Sequence, residues 1–269
     1  MCRKPSFCIP ASSSLTMPQN SVTFRIKLAG IPAEIRCRQE ETRTFLHDWL
    51  TEESPEFICE VTDDSIDMVS RNLNAEDRKY GVVREYSLRW LENNAVHAIL
   101  AEKLVDYGVL LMHGSAICVD GRAYIFTAKS GTGKSTHAGL WRELFKERAF
   151  MINDDKPLLK AGDNGIMVYG TPWNGKHGLG RNACAPLEAI AYLKRAQENR
   201  AERMSAAEAY PVLVQQSYSS RDTETMRKIL DIQKRIIQSV PFYRLWCNME
   251  PEAAYTAWSA MNSAKNASE

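Results

Sequence analysis

The chain has 269 residues, a hydrophobic content of 44%, a charged content of 25% and a formal net charge of +1. That balance is ordinary for a globular protein and gives no reason to expect a polyanion such as nucleic acid as the main partner. No stretch approaches the ~18 apolar residues that a membrane span needs, and the seven cysteines are odd in number, scattered and without a CxxC pair. Reduced thiols in a cytoplasmic protein are the reading that follows, with neither a disulfide framework nor a zinc site.

In chain order, residues 1–20 read as a disordered tail with no apolar run long enough for a signal peptide. Residues 21–37 alternate around "AGIP" as two short strands joined by a turn. Strand-like pieces follow at "EFICEVT" and "REYSLRW", with a polar break at "RNLNAEDRKYG". Residues 21–92 thus form a small N-terminal α+β subdomain, and residues 93–269 the main domain. From Asn93 to Tyr107, Val96, Ile99, Leu100 and Leu104 fall at helical spacing, with His97 as a packing or surface residue.

Two apolar runs, "VLLMHGSAICV" and "RAYIFTA", flank Asp120-Gly121, a two-residue hairpin turn. Counting outward pairs Val119 with Arg122, Ser115 with Phe126 and His113 with Ala128, which puts His113 beside the loop that follows. That loop is Ala128, Lys129, Ser130, Gly131, Thr132, Gly133, Lys134, Ser135 and Thr136. Glycines let backbone N–H groups turn inward into a nest for phosphate, and the next helix adds its N-terminal dipole. In such a loop Lys134 reaches the β- and γ-phosphates of ATP and the Ser135 hydroxyl ligates Mg²⁺. The usual GxxxxGK[ST] pattern has glycine where this chain has Ala128.

A helix with Trp141, Leu144 and Phe145 on its inner face runs to about Lys146, and "AFMIN" is a buried strand ending in Asp154-Asp155. Mg²⁺ needs an acidic second anchor there; adjacent side chains on an extended strand point to opposite faces, so one of the two carboxylates faces the metal. The segment "TPWNGKHGLGRN" interleaves glycines with Lys176, His177 and Arg181, which suits either a mobile loop carrying charge to a phosphoryl group or a solvated surface loop. Trp173 reads as a packing anchor, with stacking on an adenine as the alternative, and His137 as an exposed helical residue, with an approach to phosphate as the alternative. Beyond it come a strand at "PLEAIAYLKRA", helices at "SAAEAYPVLVQQSY" and "TETMRKILDIQKRIIQSV", a strand at "PFYRLWC" and a closing helix at "PEAAYTAWSAMN".

The run "LLMHGSAICVDGRAYIFTAKSGTGKST" followed by "MINDDK" resembles the ATP-dependent phosphoenolpyruvate carboxykinases, with their His-x-Ser-Ala strand, SGTGK[ST] loop and Asp-Asp strand end. In size, and in "HGLG" at 177–180, the chain resembles HPr kinase/phosphorylase more closely, over roughly residues 105–195. The resemblance implies an α/β fold: a phosphoenolpyruvate carboxykinase-like phosphate-loop core with a mixed β-sheet and flanking helices, preceded by the small α+β subdomain. It implies that His113 approaches phosphate or metal, that Asp155 takes a proton from a serine hydroxyl, and that Asp154 supports the metal. His177 stands where that family has arginine, and Gly175 near where it has a metal-binding glutamate. The expected activity is Mg·ATP-dependent phosphoryl transfer to a serine of a protein or small peptide, with Asp155, Lys134, His113 and His177 as catalytic residues and Ser135, Asp154 and Asp155 at the metal. A nucleotide-binding regulator without transfer activity and a small-molecule kinase or carboxykinase-like enzyme stay open, as does a homo-oligomer.

Overall fold

The computed structural model describes residues 22–79, 81–175 and 177–266; the expected tail, and Lys176, lie outside the described residues. β1 (Val22–Leu28) and β2 (Ile31–Cys37) form the anticipated hairpin around Ala29 and Gly30, both at positive φ. α1 (Glu40–Phe45) follows, and β3 (Phe57–Glu60) joins β2 in parallel to complete a three-stranded sheet.

The stretch expected to break at "RNLNAEDRKYG" is instead the second half of α2 (Asp63–Lys79). Ile66 and Val69 are buried, and Leu73 packs beside them, so a narrow apolar stripe carries an otherwise polar helix. "REYSLRW" is not a strand either. Arg84 Nη1 (2.9 Å) and the Tyr86 hydroxyl (2.7 Å) both donate to the buried Asp77 carboxylate, and the Ser87 side chain caps α3 (Leu88–Lys103) by accepting from Trp90 N–H. α3 therefore starts five residues before Asn93. It lays Val96 and Leu100 against the small sheet, with Leu104 just beyond its end.

The remaining chain builds a curled mixed sheet with helices on both faces. Its elements are β4 (Val109–Leu111), β5 (Ser115–Val119), β6 (Arg122–Thr127), α4 (Lys134–Phe145), β7 (Ala149–Asn153), β8 (Leu158–Gly162), β9 (Gly165–Tyr169), β10 (Cys184–Arg195), β11 (Arg200–Arg203), α5 (Ala206–Gln216), α6 (Thr223–Ser239), β12 (Phe242–Cys247) and α7 (Glu252–Asn266). Strands run in the order β4-β8-β9-β10-β6-β5-β7, with β12 parallel to the far half of β10 and β11 beyond it. The β8–β9 hairpin turns at Asp163-Asn164, a signal the sequence carries but which the chain-order reading passed over.

The β5–β6 register is the counted one, Val119 opposite Arg122 and Ser115 opposite Phe126, with Asp120 and Gly121 both at positive φ. The apolar run before it does not form one strand. It breaks at His113-Gly114, where a Cβ on Gly114 would meet Phe126 O at 3.1 Å. Strand pleating then sorts the core. Ala116, Cys118, Ala123 and Ile125 face α5 and α6, while Ile117, Val119, Tyr124 and Phe126 face α4 and α7.

On the second face, Ala138, Trp141 and Phe145 are the buried residues of α4; Leu144, expected inside, is exposed. His137 is not exposed. It is 3% accessible, edge-on to Phe126 at 4.6 Å, and its Nε2 accepts from Trp141 Nε1–H at 3.2 Å. Burial pushes this imidazole down to about 4, below the ordinary histidine value. Above about pH 6.5 it is neutral in folded and unfolded chains alike. As pH falls from there toward 4, the unfolded chain takes up a proton that the folded chain refuses, and up to about 1.4 kcal/mol of stability is lost per pH unit. Urea unfolding between pH 7 and 4.5 is expected to show this decline, and His137→Gln to flatten it by about one proton's slope.

Candidate functional site

The site assembles where β6 and β7 end side by side, with β5 between them. Ala128, after β6, is fully buried and has no positive φ, so this position does not require the glycine of the usual pattern. Positive φ falls instead at Gly131 (+76°) and Gly133 (+121°), in a loop where Lys129, Ser130 and Gly131 are exposed. α4 starts at Lys134, and its first hydrogen bond to the loop is His137 N–H to Gly133 O. The N–H groups of Lys134, Ser135 and Thr136 therefore stand at an open helix N-terminus, with Ser135 and Thr136 exposed. Arg195, at the end of β10, holds the loop from the other side, donating to Thr132 O at 3.1 Å and to Gly131 O. No local signal in the sequence marks Arg195; only the parallel β6–β10 pairing brings it there.

At the end of β7 the fully buried Asn153 fixes the turn. Its Oδ1 accepts from the backbone N–H of Asp155 (2.8 Å) and Lys156 (2.6 Å), and its Nδ2 donates to Thr171 O and Oγ1. Both aspartates lie past the end of β7, in this bend and not on an extended strand as expected, and it is the bend that parts them. Asp154 turns to the 171–175 segment: Oδ1 accepts Gly175 N–H at 2.5 Å, and Oδ2 is buried without a partner. A Cβ at Gly175 would stand 3.0 Å from that oxygen, so Gly175 is the residue this approach needs.

Asp155 turns the other way. Its Oδ1 lies 3.4 Å from His113 Nε2 and its Oδ2 3.0 Å from Lys156 Nζ. Burial alone would raise the Asp155 carboxyl, but the His113 contact and the Lys156 ammonium outweigh it and hold it down to about 2. Lys134 is half-buried and is pushed below the usual lysine range by desolvation, with Asp155 opposing and Lys156 adding to the effect. The His113 peptide is tied in as well: its O accepts from Thr127 Oγ1 at 2.8 Å, and its N–H reaches Gln216 O at 2.7 Å.

The structure thus brings together Lys134, Ser135, Asp155 and His113 around the loop. It places Asp154 under the 171–175 segment and leaves His177 exposed on a turn closed by Gly178 N–H to Gly175 O. Trp173 is an anchor: Nε1 donates to Asn93 O at 3.1 Å, and the ring packs on Phe45 and His97. A cleft of about 860 Å³ opens beside the loop, bounded by Gly131, Thr136, Leu193, Arg195 and Asn248. Among the described residues no group of three or more His, Cys, Asp or Glu could hold a metal alone, and no helix is long and apolar enough to cross a membrane.

No protein-family model matches the chain, and no curated protein matches it in sequence. Among solved structures, the HPr(Ser) kinase/phosphatase from Coxiella burnetii aligns at a TM-score of 0.35 and 9% identity, over 59% of this chain and 99% of that one.

Removing the Asn153 carboxamide should cost roughly 3 kcal/mol, because two buried backbone N–H groups and Thr171 lose their partner together. Asn153→Asp should be as damaging as Asn153→Ala, since the carboxylate keeps the acceptor role but buries a charge against the Thr171 carbonyl oxygen. Urea denaturation midpoints of the two variants check this.

Proposed function

We propose that the protein is a Mg·ATP-dependent phosphotransferase with a phosphate-loop core, which moves the γ-phosphoryl group to a hydroxyl, that of a serine in a protein or peptide. The observation that carries this reading is the convergence of an open helix N-terminus behind a glycine loop with one ionised carboxylate from the neighbouring strand end. The resemblance of "SGTGKST" and "MINDDK" to HPr kinase/phosphorylase and the carboxykinases supports the same chemistry.

In this reading the 860 Å³ cleft takes the nucleoside, and the N–H groups at Gly131–Thr136 cradle the phosphates. The Lys134 ammonium, poorly solvated and near Asp155, gains most from a phosphate partner and follows the charge as it moves to the leaving group. Ser135 and Asp155 would help hold a Mg²⁺ ion, which would supply charge neutralisation to the phosphates. Transfer forms a bond from the acceptor oxygen to Pγ and breaks the bond from Pγ to the bridging oxygen, whose electron pair leaves with ADP. The acceptor proton passes to Asp155 and then to water.

A carboxylate held near 2 is a weak base. It suits a loose transition state in which the hydroxyl keeps its proton until late, so that Asp155 chiefly orients the nucleophile. His113 and Lys156 keep that carboxylate ionised and aimed.

Mg·ATP at 100 times its dissociation constant should stabilise the fold by roughly 2.7 kcal/mol, and Lys134→Ala should remove most of that shift. Asp155→Asn should lower transfer by roughly 10²–10⁴-fold and weaken Mg·ATP binding far less, because Ser135, the phosphate oxygens and the loop N–H groups are unchanged. If binding and transfer instead fall together and recover with added Mg²⁺, Asp155 serves the metal. A melting temperature unmoved by millimolar Mg·ATP removes the nucleotide from the account.

A further inference from the structure

Asp155 borders a second cavity that the nucleotide cleft does not share. This cavity, of about 470 Å³, lies between α3 and the 172–175 segment and is bounded by Phe45, Trp90, Asn93, His97, Trp173 and Asp155. The loop residues and Arg195, which line the cleft, are absent from its wall. Asp155 thus lines this cavity and is also close enough to Lys134, at the start of the loop's helix, for their charges to interact, so a hydroxyl held here is near both.

The lining says what kind of acceptor. Its charges are Asp155 and Lys156, which pair with each other at 3.0 Å, so a neutral occupant fits and an anionic metabolite does not. Asn93 and His97 stand one helical turn apart on α3, and Asn93 Oδ1 and His97 Nε2 are both buried without a partner. Such orphans cost free energy until something fills them, and a carboxamide swings about χ2 at little cost. Asn94 and Asn174 spend their Nδ2 donors on backbone carbonyls, which leaves their side-chain oxygens, with Asn93, to meet peptide N–H groups.

A neighbouring cavity meets it at one residue. Trp90, 41% exposed, lines both this space and a second one of about 750 Å³ that reaches Ser130 of the loop. There Glu76, Asp77 and Glu85 stand against Arg84 alone, leaving a net negative wall. A path with a neutral amide-lined end, an aromatic middle and an acidic far end suits an extended chain better than a compact small molecule.

We propose that this path is the acceptor site and takes a serine-bearing peptide segment, with an apolar residue on Trp90 and Trp173 and a basic residue toward Glu76 and Glu85. The inference rests on the kinase reading for its chemistry, but its binding can be measured without nucleotide. The probes are blocked serine peptides, varied in their flanking apolar and basic residues, titrated into the full chain by calorimetry. The expected result is that peptides with both features bind, that Trp90→Ala weakens them by about tenfold or more, and that Glu85→Lys weakens basic-flanked peptides while strengthening acidic-flanked ones. That charge swap is a response a merely unfolded variant does not give. Absence of any bound serine peptide, equal binding by wild type and both variants, or phosphorylation of sugars or polyols in place of peptides each overturns the inference. The Mg·ATP shift, read in parallel, separates the two failures: peptide binding without it sinks the kinase reading alone, and the shift without peptide binding sinks this one.

Discussion

One buried carboxamide sets the geometry on which the rest of the site depends. Asn153 uses its oxygen for two backbone N–H groups and its nitrogen for Thr171, and so bends the chain sharply as β7 ends. The partners fix which end of the amide is oxygen, since backbone N–H groups can only donate. Without that bend, nothing else would separate two adjacent aspartates so completely. Asp154 goes to Gly175 and the 171–175 segment; Asp155 goes to His113 and Lys156.

Sheet order turns this local bend into a site. β5 lies between β6 and β7, so the loop after β6 and the carboxylate after β7 emerge at one edge of the sheet. β10 runs parallel to β6 and delivers Arg195 to the loop carbonyls, which keeps the glycine-rich backbone ordered without occupying its N–H groups. The small N-terminal sheet contributes through α3, whose Asn93 and His97 face the 172–175 segment across from Asp155. The loop side of the carboxylate is thus built by the large sheet, and the opposite side by the N-terminal elements.

Much of this was legible in the residues, for identifiable reasons. Asp120-Gly121 requires positive φ twice, so the turn and the register from Val119–Arg122 to Ser115–Phe126 could be counted from the residues, whereas the break at His113-Gly114 could not. The loop and the strand-end aspartates carried enough local chemistry to be paired. The failures share a cause as well. α2 was hidden because its apolar stripe is narrow and its surface polar, and "REYSLRW" mimicked a strand although Asp77, a residue seven positions back, holds Arg84. His137 looked exposed because nothing local shows that Phe126 and Trp141 close over it. Arg195 and Asn153 were missed for the opposite reason: their roles are made by tertiary pairing, and one sequence offers no period or motif that announces it.

The account turns on where a nucleotide's phosphates lie relative to Asp155, and a crystal structure with Mn²⁺ and a non-hydrolysable ATP analogue, read by anomalous scattering, measures that directly. The account predicts β- and γ-phosphates within the Gly131–Thr136 backbone, the nucleoside in the cleft beside Arg195, and manganese between Ser135 Oγ and Asp155. Phosphates bound away from the loop, or manganese held by Asp154 with Asp155 turned aside, would contradict it.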